Sequence, residues 1–351
     1  MITVALLFPY PFCPRCIADQ IEAKKPRCRF YSALLCKQGD RSSVSENVLY
    51  AAIMALVSLP LSIALAASGL PLTSAMLLFN PPKRVKVFRD KYGQQTATLC
   101  LLAGIVSILG LGCGAAVMWT QFPAAASFWL AWPLPAAPLA AVLVIGAVLA
   151  IIYRATWQTL KEKRAAQASI GVFATVSAWV LGYLFLSFFR HFAAIPADPS
   201  ADPFLFLPPA ASSAWLLLPW VLALSLAMAG ALSPLYLIYR RDKDDFGRDY
   251  YSYALKMAAK WATFATLAAL ACQAGLFAIL WPSVRDLPIR PSFFWGGGIG
   301  LVCFVMACLL WGLVLKSQNP LRLKLHCVTA FFLTVAGLAG VLASYAKFFL
   351  G

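Results

Sequence analysis

Residues 294–315 read FWGGGIGLVCFVMACLLWGLVL, a run without one charged side chain that closes on Lys316. An α-helix needs about 20 apolar residues to cross roughly 30 Å of hydrocarbon. A run apolar on every face, at that length, has no economical place in a water-soluble core. The same pattern recurs along the chain. Eight spans are predicted at 48–70, 97–119, 136–153, 168–189, 213–238, 261–281, 294–315 and 326–346. All 29 Lys and Arg residues and all 13 acids then fall outside the spans or at their edges. Of the 351 residues 62% are hydrophobic and 12% charged, where a soluble domain carries about 25% charged residues. The fold class implied is an all-α integral membrane protein.

Where the charges fall gives an expected orientation. The loops after spans one, three, five and seven hold 18 Lys and Arg residues, among them Arg89, Lys161, Arg248 and Arg322. The loops after spans two, four and six hold Arg190, Arg285 and Arg290 alone, and are rich in Pro, Ala and aromatics. By the positive-inside rule the basic loops face the cytoplasm of an inner membrane. The net charge of +16 is then a matter of orientation and anionic lipid headgroups rather than nucleic acid. Both chain ends lie outside, provided that Val48–Phe79, which contains Pro60 and Pro71, crosses once rather than folding back as a hairpin.

Two short matches share one offset. Arg89-Asp90-Lys91-Tyr92 recurs as Arg248-Asp249-Tyr250-Tyr251, and Phe173-Ala174-Thr175-Val176 recurs as Phe332-Leu333-Thr334-Val335, each 159 positions on. Repeats at a fixed period signal duplicated units. The expectation is two four-helix units in parallel, 47–190 and 213–351, joined by a Pro-rich outer loop at 191–212. Gly110 and Gly114, Gly296 and Gly300, and Ala336 and Gly340 lie four apart, which suits close helix contacts.

Residues 1–46 form a separate extension with Cys13, Cys16, Cys28 and Cys36. Three readings stay open for it: a four-thiolate zinc or iron–sulfur site, disulfides on an outward terminus, or a chemically idle extension. The other cysteines read as small core hydrophobes.

Chemistry inside the membrane is constrained by what the spans contain. His191 and His326 sit at span boundaries on opposite sides, which disfavours haem ligation. No acid or base lies at depth, which disfavours a self-contained proton path. The polar group at depth is Gln273, and an amide there needs a partner. Trp119, Trp132, Trp220 and Trp295 gather toward the outer ends, where an indole offers apolar area and an N–H donor. These four tryptophans, with Gln273, are the candidate contacts for a quinone or another lipid-soluble ligand.

Two function classes follow. One is a cofactor-free membrane subunit of a redox complex, contacting lipids, a quinone and other subunits. In arrangement (two four-helix units, no haem ligands at depth, an aromatic outer rim) such a chain is similar to the membrane subunits of polysulfide-reductase-type complexes. It matches no motif of theirs and lacks the intramembrane acids they often carry. The other class is a transporter or flippase for a neutral or lipid-like solute; a structural scaffold is a third, plainer option.

Single cysteines at 89, 161 and 248 should be shielded from an impermeant thiol reagent in intact cells, and those at 129, 202 and 290 should react. Labelling at 161 or 248 from outside would reverse the orientation.

Overall fold

The computed structural model describes residues 39–79, 85–121, 133–160, 162–194, 214–244, 246–285 and 290–350. Eight α-helices carry them: α1 Gly39–Leu78, α2 Lys86–Gln121, α3 Pro133–Ala155, α4 Arg164–Ala194, α5 Ala214–Arg241, α6 Arg248–Val284, α7 Arg290–Lys316 and α8 Lys324–Leu350, with a 3-10 turn at Pro320–Leu323 before α8. Among the described residues there is no strand. Seven helices are long and apolar enough to cross a membrane, and α3 adds a shorter apolar stretch, Leu139–Ala155. The protein is therefore an all-helical, multi-span membrane protein.

Each predicted span coincides with one helix, and several helices run past it. The spans were bounded by charge, but an α-helix need not stop where hydrocarbon does. α2 has 36 residues and α6 has 37, or roughly 55 Å each at 1.5 Å per residue. Both begin about three turns before the apolar run, so their first turns stand beyond the hydrocarbon at the basic end. α1 settles the question of Val48–Phe79. Gly39–Leu78 is one helix with Pro60 and Pro71 inside it, so that stretch crosses once. Helix α1 also starts within the stretch assigned to the extension, seven residues before its end at 46.

The helices pack as two bundles with the same pattern of neighbours. α1 packs on α2 and α4, and α3 on α4 and α2; likewise α5 packs on α6 and α8, and α7 on α8 and α6. α1 joins the bundles by packing on both α5 and α8. Because hydrocarbon is as apolar as leucine, association in a membrane relies on close van der Waals contact, for which small residues are needed. Gly69 of α1 lies against the Ser225 carbonyl of α5, and Gly230 of α5 lies against the backbone of Ala262 in α6. Gly296 and Gly300 of α7 meet Gly340 and Gly337 of α8. The Gly296/Gly300 spacing therefore works within the chain. Ala336 is exposed and Gly337 makes the contact instead. Gly110 faces open space.

At the 159-residue offset α2, α3 and α4 line up with α6, α7 and α8, whereas α1 shifted in the same way would begin at 198 and α5 begins at Ala214. Shifted by that offset, the limits of α2, α3 and α4 fall within about four residues of those of α6, α7 and α8. Burial follows. Tyr92, Leu99, Cys100 and Ala103 of α2 are buried, and so are Tyr251, Ala258, Ala259 and Ala262 of α6. Ser74 and Ser233 are both buried, as are Thr175 and Thr334, while Phe173 and Phe332 are both exposed.

Gly230→Leu should destabilise the protein by about 1–3 kcal/mol or more, because a side chain there meets backbone that cannot give way. Gly104→Leu, with open space around it, should leave stability within about 0.5 kcal/mol. Thermal melting of the purified variants in detergent reads the difference.

Candidate functional site

Of the residues singled out in the sequence, the structure buries Trp220 and Gln273. Trp220 of α5 is buried among Leu276 and Leu280 of α6, Phe304 of α7, Leu338 and Val341 of α8 and Ala66 of α1. Gln273 is 7% exposed. At i, i+3 and i+7 it shares a helix face with Leu276 and Leu280, which places its carboxamide one turn below the indole's own contacts. A polar group held in so apolar a layer must be hydrogen-bonded, since hydrocarbon offers no replacement for water. Near the same end, Trp281 stacks on Phe277 at 5.5 Å between centroids.

Trp295 stands elsewhere. It is 68% exposed, edge-on to Phe294, on the outer surface of α7. That is the position of an interfacial belt residue rather than of a buried pocket. The side chains of Trp119 and Trp132 lie outside the described residues, as do Cys13, Cys16, Cys28 and Cys36. Among the described residues, no three His, Cys, Asp or Glu side chains gather as metal ligands.

The densest polar chemistry sits at the basic end, and the sequence reading missed it. The first turns of α2 dock on the α5–α6 corner. Tyr250 donates its hydroxyl hydrogen to Gln95 Oε1. Gln95 Nε2 donates to Asp244 Oδ2 at 2.9 Å. Arg240 closes the set with two bonds to Asp244, at 2.7 and 2.8 Å. Around this clasp Phe88 packs on Tyr250 and Tyr253, Lys91 lies 4.2 Å over the Phe246 ring, and Tyr92 joins Tyr250 and Tyr251 in one buried cluster. Tyr92 of the first Arg-Asp stretch thus packs with Tyr250 and Tyr251 of the second, while Asp90 pairs with Arg164 and Arg248 donates to Asn319. Asp244 already accepts three charge-assisted or polar bonds, so it acts as a clasp and not as a free base.

A second polar group serves the proline turn of α1. Proline has no N–H, so Pro71 leaves the Ala67 carbonyl, four residues back, without its helical partner. Cys100 of α2 supplies one, with its Sγ 3.5 Å from that oxygen. Ser74, buried beside it, exchanges a 2.7 Å hydrogen bond with Tyr153 of α3. Trp179 of α4 donates to Ser225 of α5 at 2.9 Å, which ties the bundles together near the Gly69 contact. A small cleft opens nearby between Asp90 and Arg164, 3.5 Å apart, and is lined by Trp157, Gln167, Leu78 and Leu160. The Gln167 carboxamide accepts from Thr156 and donates to the Tyr153 carbonyl.

Compared with protein-family models, curated proteins and solved structures, the chain matches none.

Gln95→Leu and Asp244→Asn should each lower stability by about 1–3 kcal/mol, since each strands a partner of a charged or buried group. The double variant should lose less than the two single losses added together, because both remove the same network. Additive losses in a thermal or SDS titration would mean that Gln95 and Asp244 act separately.

Proposed function

We propose that this chain is a cofactor-free membrane subunit of a redox complex, and that it binds a quinone or a similar lipid-soluble ligand at its aromatic end. The observation that carries this reading is a buried indole, Trp220, in an apolar cluster drawn from five helices, with the buried Gln273 on the α6 face that lends Leu276 and Leu280 to that cluster. A quinone headgroup asks for this combination, a flat apolar surface with one or two hydrogen bonds to its carbonyls. The exposed ring pair Phe294–Trp295 would meet lipid or a second subunit at the same end. The arrangement of two like bundles, which we take as a duplicated four-helix unit, suits a subunit that presents one face to a partner. The basic loops face the cytoplasm of an inner membrane on the positive-inside argument.

A transporter or flippase for a neutral solute is the second reading. Its path would run between the two bundles. That junction is filled by the Gly69–Ser225 backbone contact and the Trp179–Ser225 hydrogen bond, which favours the subunit reading.

Protein purified gently from quinone-containing membranes should retain quinone on solvent extraction and mass analysis. Gln273→Leu, close in volume but without the amide, should lower retention about tenfold, the cost of roughly one hydrogen bond. Cys303→Ser should not change it. Equal retention by wild type and Gln273→Leu, or no quinone in either, would reject the site. Solute uptake by the chain alone in proteoliposomes would favour the transporter.

A further inference from the structure

Arg154 closes the last turn of α3, and the structure gives its guanidinium less than it can use. Its Nε donates to Thr98 Oγ1 of α2 at 2.7 Å, which leaves four of the five guanidinium N–H donors free for another acceptor. Among the described residues the ion pairs are Arg164–Asp90 and Arg240–Asp244, and neither involves Arg154. The nearest acid set cannot serve it. Asp244 is bound twice by Arg240 and once by Gln95.

The surroundings are those of a membrane-facing groove. α2 packs on both α3 and α5. Ala150 of α3 and Tyr236 of α5 both border the buried Leu99, Cys100 and Ala103 of α2. Tyr236 is half-buried. Further along the same helices, toward the apolar interior, Leu102 and Ile105 of α2 and Val148 and Ile151 of α3 are exposed. At the head of the groove Lys243, held on the Tyr239 hydroxyl at 2.6 Å, and Arg241 add positive charge.

We propose that the groove between α3 and α5 binds one anionic phospholipid of the leaflet at the basic end, with its phosphate on Arg154. The guanidinium fork matches two phosphate oxygens at once. The exposed apolar side chains of α2 and α3 take the acyl chains. Charge complementarity selects the lipid. Arg154 has no carboxylate partner among the described residues, and a zwitterionic lipid brings its own ammonium while an anionic one does not. This site is at the opposite end of the bundle from the proposed quinone layer and is independent of it.

The test uses the full chain in nanodiscs that contain phosphatidylglycerol and phosphatidylcholine, followed by native mass spectrometry on release. Wild type should keep one phosphatidylglycerol in preference to phosphatidylcholine. Arg154→Gln should lower that retention by about tenfold, and Arg154→Lys, which keeps the charge without the fork, should give an intermediate loss. Arg322→Gln, on the same side but away from the groove, should leave it unchanged. Size-exclusion profiles and melting curves identify any variant that fails to fold, and Arg154→Lys then carries the comparison. Undiminished retention in a folded Arg154 variant would overturn the proposal, as would equal retention of phosphatidylcholine. Full displacement of the lipid by millimolar inorganic phosphate would assign the site to a soluble anion instead.

Discussion

The constraint on which this structure rests is that hydrocarbon cannot hydrogen-bond a peptide group. Every N–H and C=O at depth must find its partner within the chain, at a cost of several kcal/mol if it does not. That makes the spans helical, and it also decides what happens where a helix is interrupted. α1 carries Pro60 and Pro71 and stays one helix. At Pro71 the released Ala67 carbonyl is met by the Cys100 thiol, and the Ser74 and Tyr153 hydroxyls pair beside it. These polar side chains look incidental in an apolar sequence. In place, they supply partners where a proline interrupts the hydrogen bonds of the central helix.

The second consequence concerns how the helices hold together. With no water to expel between them, they depend on contact distance, and the closest contacts are glycine against backbone: Gly69 on Ser225, Gly230 on Ala262, Gly300 on Gly337. Strong polar pairing is displaced to the basic end, where the Arg240–Asp244–Gln95–Tyr250 clasp fixes the first turns of α2 on the α5–α6 corner. The division is physical. Charges are tolerated where headgroups and water reach them, and small residues do the joining where nothing else can.

Much of the fold was legible because hydropathy and charge act over whole spans. FWGGGIGLVCFVMACLLWGLVL allowed no other reading, and each of the eight spans became a helix. The helix limits were less legible, since α2 and α6 continue three turns past their apolar runs and carry Arg89, Gln95 and Arg248 on helix rather than loop. For that reason Gln95 and Asp244 passed unnoticed; a pairing between residues about 150 positions apart leaves no local trace. Among the tryptophans, sequence position could not separate the buried Trp220 from the exposed Trp295, since every face of these helices is apolar.

The central claim is that two like bundles are locked together through α1 and α5 at the Gly69–Ser225 contact. Its most direct measurement is a disulfide cross-link in native membranes, with cysteines at 65 and 221, one helical turn before the Gly69–Ser225 contact on each helix and packed against the same core cluster, as the chain's only two, and a protease site inserted between residues 195 and 213. With α1 packed on α5 at that point, mild oxidation leaves the cut chain in one piece on a non-reducing gel, and reduction separates it into two fragments. If oxidation leaves two fragments under all conditions while the uncut protein is folded, the bundles do not meet there and the account of the core is wrong.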